Sequence, residues 1–369
     1  MTEKYIAFTG GGTGGHIYPG LAIIEKLKVM AAADADIKII WIGSKKPAER
    51  DAVESAGIGF FPIPSGKLRR SFSLKNFTDI FKVLAAYFSA RKLLKKYKPC
   101  LLFSKGGYVS VPPCYAAASL GIPVFTHESD LTPGLATKLN SKKAEKILLS
   151  WEHGRQLLPK AMENKIVVSG NPVRSAIKRG DPAKGRAWLG FDDSLPIILV
   201  LGGSQGAKQI NELTAAILPD LAGRARIAHQ YGADNSAITA NTASYCGFAF
   251  SKDGMADLYA AADIIVGRAG AGTLWEGAAC AKPMIFIPLS GTGTRGDQVE
   301  NAEYMERAGA AISLAGTKAS KTQLLDSIQA LLESPLARKN MGEKAASLAG
   351  SDAASAIAEL ILERIKKVG

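Results

Sequence analysis

Short apolar runs alternate with longer stretches whose apolar positions recur at helical spacing, and this alternation runs through most of the chain. Runs of this kind, bounded by glycine and polar residues, read as strands buried on both faces, and the stretches between them as helices. The predicted strands of the first half are Tyr5–Phe8, Ile37–Ile42, Phe60–Ile63, Cys100–Phe103, Val124–Thr126, Ile147–Leu149 and Ile166–Val168. Those of the second half are Ile197–Leu201, Ala225–His229, Phe248–Phe250, Ile264–Val266 and Met284–Ile287. Helices are predicted over Leu21–Met30, Leu74–Lys96, Ile210–Leu221 and Leu274–Cys280. Strand and helix in alternation predict parallel sheets in an α/β fold.

Two sections open in the same way. Tyr5–Thr9 leads into Gly-Gly-Gly-Thr-Gly-Gly-His, and Ile197–Leu201 leads into Gly-Gly-Ser-Gln-Gly-Ala. Buried strand, glycine turn and helix form the start of a doubly wound nucleotide-binding fold, and here it occurs twice. The segment Gly170-Asn-Pro-Val-Arg, followed by Arg179-Gly-Asp-Pro, carries the strongest linker signals. The expected division is therefore 1–169, 170–350 and a final helix within 351–369, whose pattern allows packing on either domain, the N-terminal one included.

Charge separates the two halves. Residues 1–169 hold 25 Lys and Arg against 13 Asp and Glu, and the remainder holds 21 against 20. A basic half and a neutral half predict different partners for each. Cys100, Cys114, Cys246 and Cys280 are scattered with no metal-ligand spacing, which reads as buried, reduced thiols. The opening residues run directly into a strand, without the longer apolar segment of a secretion signal, and predict a cytosolic protein.

A glycine turn from strand to helix brings backbone N–H groups close to an anion, where the helix dipole adds about half a positive charge. Gly10, Gly12 and Gly15 satisfy the dinucleotide-binding spacing, yet the second strand ends Trp41-Ile-Gly-Ser-Lys-Lys without the acidic residue a ribose requires. Ser44, Lys45 and Lys46 suit a 2′-phosphate, so an NADP oxidoreductase stands as one alternative. Further features point elsewhere: His16 at a helix start, the loop Gly202–Ala207, a third glycine turn Gly267–Gly272 with Glu276 behind it, and the polar pair Asp297-Gln298. One nucleotide-sugar site would use all the second-half features.

Gly10–Gly20, Gly106-Gly-Tyr-Val-Ser110, His127-Glu128, Pro133-Gly-Leu135, Gly170-Asn-Pro-Val-Arg174, Gly202–Ala207 and Arg268–Glu276 follow one another in an order that resembles the MurG family of bacterial peptidoglycan synthesis. The resemblance covers about Tyr5 to Asn301. It implies a GT-B type fold, two doubly wound (Rossmann-like) domains facing a cleft. It implies inverting transfer of N-acetylglucosamine from UDP-N-acetylglucosamine to undecaprenyl-diphosphate-linked N-acetylmuramoyl-pentapeptide, with no metal and no cofactor. A metal-free site would stabilise the leaving diphosphate with backbone N–H groups and side chains.

By that resemblance the donor lies on the second domain. Ser204 and Arg174 would contact the diphosphate, a guanidinium offering two parallel donors to phosphate oxygens. Glu276 would hold the ribose, Gln298 the donor sugar, Ala271, Gly272 and Thr273 the nucleoside, and the Lys252 backbone the uracil. Thr13, Gly14 and Gly15 would face them from the acceptor domain. The reaction needs a base for the acceptor's 4-hydroxyl. His16 has a suitable intrinsic pKa and stands either as that base or as a brace for its loop, with His127-Glu128 the competing candidate. Asp130 departs from the family's asparagine at a donor-sugar position, where a carboxylate would repel a diphosphate, and Trp275 is bulkier than the small residue expected.

Residues 66–98 interleave ten basic side chains with Phe72, Leu74, Phe77, Ile80, Phe81, Leu84, Tyr87 and Phe88, against a single acid, Asp79. Cationic side chains flanking an apolar stripe suit an anionic lipid surface. Arg69, Arg70, Phe72, Lys75 and Phe77 are the expected membrane contacts, and Gly106, Gly107 and Tyr108 the expected acceptor loop. The bland alternative is an ordinary helix with its Phe and Leu side chains in the core. The expected location is the cytoplasmic face of the inner membrane, with cell-wall synthesis proteins as further partners and no nucleic acid. A UDP-N-acetylglucosamine 2-epimerase, similar in fold and lacking a lipid partner, is the other rival.

Overall fold

The computed structural model describes residues 3–12, 14–31, 37–66, 75–203, 206–233, 238–249, 254–291, 294–350 and 352–367, and of residues 75–78 the backbone only. The chain forms two compact units, Met1–Arg174 together with Ser351–Gly369, and Ser175–Gly350. The expected break at 169/170 falls earlier than the change of unit, because residues 170–174 bond back to the first unit.

The first unit holds seven parallel strands: β1 (Lys4–Thr9), β2 (Ile37–Gly43), β3 (Gly59–Pro62), β4 (Leu101–Ser104), β5 (Val124–Glu128), β6 (Lys146–Leu149) and β7 (Ile166–Val168), in the order β3-β2-β1-β4-β5-β6-β7. Successive side chains alternate between two cores. Ile6, Phe8, Trp41, Leu101 and Phe103 join one, while Ala7, Ile40, Ile42 and Leu102 join the other. Burial on both faces is why each strand reads as an unbroken apolar run. The first core is covered by the helices Gly14–Met30 and Ala353–Lys366, the second by Lys75–Tyr97 and Val111–Ser119.

The final helix therefore packs on the first unit. Asp352 caps it by accepting from the Ser355 N–H, and Ile357, Ile361 and Ile365, spaced by four, are buried with Ala354 and Ala358. Ion pairs Lys26–Asp352 at 2.7 Å and Arg364–Glu145 at 2.6 Å pin its two ends. Residues Pro335–Lys366 are together long and apolar enough to cross a membrane by composition. They nevertheless form two helices, Pro335–Ala349 and Ala353–Lys366, the second with its apolar stripe spent in this core.

The second unit repeats the plan with β8 (Ile197–Leu201), β9 (Arg226–Gln230), β10 (Tyr245–Phe248), β11 (Ile264–Gly267), β12 (Met284–Phe286) and β13 (Ile312–Ser313), parallel and ordered β10-β9-β8-β11-β12-β13. Both sheets have the strand order of a doubly wound fold, whose ligands bind beyond the carboxyl ends of the strands where the winding reverses. That reversal lies between β1 and β4 in one unit and between β8 and β11 in the other. The predicted loops follow those very strands.

Candidate functional site

In the first unit the switch point is flanked by Gly10–Gly12 after β1 and Lys105–Gly107 after β4. The Lys105 N–H donates to the Thr9 carbonyl at 2.8 Å, locking one loop to the other. Gly107 has φ +76°, and a Cβ there would stand 2.5 Å from the Gly11 carbonyl oxygen, so only glycine fits. Ser104 Oγ accepts from the Gly106 N–H and from Asn140, and Ser110 Oγ donates to the Gly107 carbonyl. His16, half-buried at the start of its helix, lies against this loop: a Cβ on Gly107 would be 3.4 Å from its Cε1 and Nδ1. Tyr108 closes over Gly12, its Cε1 standing 3.2 Å from where a Cβ there would sit. The structure thus brings His16, Gly106, Gly107 and Tyr108 together.

The glycine loop of this unit already holds an anion of its own. Glu49, 2% exposed in the first turn of the helix Pro47–Glu54, accepts from the Gly12 N–H at 2.6 Å and from the Ser44 N–H at 2.9 Å. Lys46 Nζ donates to the Gly12 carbonyl at 3.0 Å. The Glu49 carboxylate lies only 2.6 Å from where a Gly11 Cβ would stand, so a side chain at Gly11 would have to push it from these donors. Ser44 and Lys46, two of the three groups suited to a 2′-phosphate, are turned to this internal clamp, a link that sequence reasoning missed because Glu49 sits in a polar stretch with no local sign of burial.

Glu128 is not placed to act as a base. Its Oε1 accepts from the N–H groups of Ser129 (2.9 Å) and Asp130 (3.1 Å), and its Oε2 from the Gly134 N–H (2.8 Å) and the Thr137 hydroxyl (2.6 Å). A carboxylate with four donors is committed to holding the turn 128–137 and the start of the helix Leu135–Ser141. His127 is fully buried, its pKa held well below the ordinary value by desolvation, then by Lys105. The carbonyl of Gly170, 3.0 Å from Nε2, can only accept, so Nε2 carries the proton and the ring is neutral. The expectation of a base at His127-Glu128 is corrected on these grounds.

Residues 170–174 complete this side. Asn171 Oδ1 accepts from Ser129 Oγ at 2.8 Å. The Arg174 guanidinium stacks on the ring of Tyr18, 4.8 Å from its centroid, and that ring crosses Gly14 at the start of the first helix. Arg174 therefore stands on Tyr18, beside Gly14 at the start of the first helix.

In the second unit the helix Ala271–Ala279 begins directly beyond β11 and carries Ala271, Gly272 and Thr273 as its first turn. A Cβ built on Gly272 meets nothing within 4 Å, so the side of this first turn is open. Gln298, on the helix Asp297–Arg307, accepts from the Leu289 N–H at 2.9 Å and brings its Nε2 to 4.0 Å from a Cβ position at Gly270. Arg268 donates to Gln209 Oε1 and to the Ile287 carbonyl, and Asn301 donates to the Ala269 carbonyl at 3.1 Å. These two supports give no sequence signal of their own. Glu276 lies on the same helix, half-buried, while Trp275 is core. Its bulk faces the interior rather than a nucleoside. Thr13, Ser204 and Lys252 lie outside the described residues.

Of the membrane candidates, Arg69, Arg70 and Phe72 also lie outside the described residues, and only the backbone of Lys75 and Phe77 is described. The rest of the helix Lys75–Tyr97 buries Ala86, Ala90 and Leu94 and turns Ile80 (49% exposed), Phe81 (62%), Leu84 (50%) and Phe88 (65%) outward beside exposed Lys82, Lys92, Lys95 and Lys96. Tyr87, Leu93 and Tyr97 pack against the core as well, so the helix carries one apolar face inward and a second, of large side chains, outward.

Comparisons with known proteins place the chain in a family. Residues 6–149 match the glycosyltransferase family 28 N-terminal domain, and residues 197–360 the glycosyltransferase family 28 C-terminal domain. The chain is 42% identical over 383 residues to a Treponema denticola protein named UDP-N-acetylglucosamine--N-acetylmuramyl-(pentapeptide) pyrophosphoryl-undecaprenol N-acetylglucosamine transferase, covering 97% of each. It superposes on the crystal structure of Acinetobacter baumannii MurG with a TM-score of 0.71 at 26% identity, covering 98% of this chain and 99% of that one. A Neisseria meningitidis UDP-GlcNAc 2-epimerase bound to UDP-GlcNAc superposes with a TM-score of 0.65 at 14% identity, covering 99% and 100%, a likeness of fold alone.

Proposed function

We propose, on the premise that the chain belongs to glycosyltransferase family 28 and within it to the MurG transferases, that it moves N-acetylglucosamine from UDP-N-acetylglucosamine to undecaprenyl-diphosphate-linked N-acetylmuramoyl-pentapeptide. The observation that carries the site reading is the open first turn of the helix Ala271–Ala279 with Gln298 beside it. N–H groups at a helix start beside an uncrowded glycine turn suit a diphosphate. Glu276 then takes the ribose hydroxyls, the Lys252 backbone the uracil, Gln298 the sugar, and Ser204 and Arg174 the phosphate oxygens.

His16 is the base that removes the proton from the acceptor's 4-hydroxyl as it attacks the anomeric carbon. The carbon–oxygen bond to UDP breaks on the opposite face, the configuration inverts, and the leaving diphosphate keeps the electron pair. Its negative charge is met by fixed donors, the largest usual contribution in such a site. Thr13, Gly14 and Gly15 belong with His16 on the acceptor side, along with Gly106, Gly107 and Tyr108.

The outward stripe Ile80, Phe81, Leu84 and Phe88, with its lysines, supports peripheral attachment at the cytoplasmic face of the inner membrane, in the service of wall growth and cell division. Each basic side chain near an anionic surface contributes about 1 kcal/mol. Flotation with phosphatidylglycerol vesicles tests this. Arg69→Glu, Arg70→Glu and Lys75→Glu together should abolish binding, and undiminished binding rejects the membrane assignment. Transfer of labelled N-acetylglucosamine to the lipid-linked acceptor tests the activity. Thermal stabilisation by NADP and not by UDP would reject it in favour of an oxidoreductase.

A further inference from the structure

The last sheet bond of β7 runs from the Ser169 N–H to the Leu149 carbonyl at 2.9 Å. Beyond it, residues 170–174 lead to the change of unit after Arg174. Two side chains at the end of β5 take hold of this segment. His127 Nε2 donates to the Gly170 carbonyl at 3.0 Å, and Ser129 Oγ donates to the buried Asn171 Oδ1 at 2.8 Å. Both bonds depend on the placing of one proton. A neutral imidazole has a single N–H and a hydroxyl a single O–H, so each serves the segment only if nothing on its other side claims that proton.

The group on the other side is Lys105. It is the first residue beyond β4, 1% exposed, with its own N–H tied to the Thr9 carbonyl at 2.8 Å. Its Nζ lies 2.7 Å from His127 Nδ1 and 2.6 Å from Ser129 Oγ. An ammonium has three donors and no acceptor, so Nδ1 must offer it a lone pair and Ser129 Oγ must accept from it. Burial lowers Lys105 to about 7, while the charges of Glu128 and then Asp130 raise it. The neutral amine keeps an N–H for each neighbour, so the same order of bonds is open to both forms.

We propose that Lys105 is a positioning residue for the segment 170–174: by donating to His127 and Ser129 it leaves the Nε2 proton for Gly170 and the hydroxyl proton for Asn171, and so clamps the segment to the ends of β4 and β5. The segment so held carries Arg174, whose guanidinium stacks on Tyr18. The ligand of Arg174 rests on the transferase reading, and the clamp does not.

The test is amide exchange followed by NMR in the wild-type and Lys105→Met chains, with ¹⁵N spectra of the His127 ring. Lys105→Met removes the donors and keeps a long side chain in place. Exchange at Gly170, Asn171, Val173 and Arg174 should quicken about tenfold, and in β1 and β2 by no more than about twofold. In the wild-type ring Nε2 should carry the proton, and Nδ1 should show the shift of a hydrogen-bonded imine nitrogen, which Lys105→Met returns to the unbonded position. Unchanged exchange in the segment, or an equal rise throughout the first unit, overturns the proposal. If Lys105→Met does not fold, Ser129→Ala cuts one arm of the clamp and should quicken exchange at Asn171 about threefold. An unmoved rate there, or a proton on Nδ1 in the wild-type spectrum, overturns the clamp. None of these readings needs a substrate, so failure of the transfer assay would reject the transferase reading and leave them to decide the clamp.

Discussion

Glu128→Gln separates a base from a structural carboxylate with little change of shape. In the folded chain the two oxygens receive four donors at 2.6 to 3.1 Å. The amide replaces one oxygen with an NH₂ group. Placing that group at the Oε2 position is the less damaging choice, because the Thr137 hydroxyl can rotate and accept from it, leaving only the Gly134 N–H without a partner. One orphaned buried donor costs about 1–3 kcal/mol, and the remaining bonds lose their charge assistance. A total of about 2–4 kcal/mol follows on those grounds. Glu128→Ala orphans all four donors and should cost more.

The readout is denaturant unfolding followed at Trp151, whose indole N–H donates to the Ser129 carbonyl at 3.2 Å and so reports on this turn. The midpoint should fall for Glu128→Gln, and transfer should fall in step with the loss of structure. A base would behave differently. Its amide would leave the midpoint where it is and reduce kcat by roughly 10²–10⁴ with a changed pH profile. Such a result would falsify the assignment of Glu128 to the turn and reopen it as the catalytic base.

His16→Ala should lower kcat by about 10²–10⁴ with UDP affinity unchanged by calorimetry; if both fall equally, His16 braces the donor site. Gly107→Ala forces a Cβ to 2.5 Å from the Gly11 carbonyl oxygen at φ +76°. It should cost about 1–3 kcal/mol or more and abolish transfer; full activity would show that the loop relaxes freely. Ile361→Ala empties a fully buried site beneath the final helix and should cost about 2–5 kcal/mol, read from the Trp41 unfolding signal; an unmoved midpoint would mean that the helix adds nothing to the first unit. Between about 7, the folded value of Lys105, and its ordinary 10.5, the unfolded chain binds the extra proton, so stability should rise with pH. The slope is at most about 1.4 kcal/mol per pH unit. Lys105→Met should lack it, and a constant difference between the two chains from pH 7 to 10 would show that the lysine is not perturbed.

The fold was legible because strands buried on both faces leave a mark that needs no partner to be read. All twelve predicted strands are present. The strand placed at Phe248–Phe250 lies instead at Tyr245–Phe248, where Tyr245 is buried and the flanking positions alternate poorly. β13 was missed, since two residues carry no periodicity. The first helix starts at Gly14, not Leu21, because its opening turns hold glycines and Pro19, residues that argue against a helix locally and are tolerated near its start. The site was legible where chemistry and backbone coincide, at the glycine turns and His16. It was illegible where a polar side chain is buried by contacts distant in the chain. Glu49 meets Gly12 across 37 residues and Lys105 meets Ser129 across 24, and neither neighbourhood announces this.

The two glycine turns that look alike in sequence have therefore been put to different uses. In the first unit the Gly12 and Ser44 N–H groups are already satisfied by Glu49, so a cofactor phosphate seeking the same donors would have to displace a buried carboxylate that is itself held by the fold. The desolvation of that carboxylate is compensated only while it keeps those donors, which makes the loop rigid and leaves its helix start, rather than the turn, to meet a substrate. In the second unit Gly203 adopts φ +82° and Gly272 opens the helix beyond β11, each with nothing within 4 Å of where a Cβ would stand. A diphosphate needs donors that are fixed and unspent. Among the described residues, the second unit has open glycine positions beside its switch point at Gly203 and Gly272 while the Gly12 turn of the first is engaged by Glu49, and this supports the proposal that the nucleotide belongs to the second unit.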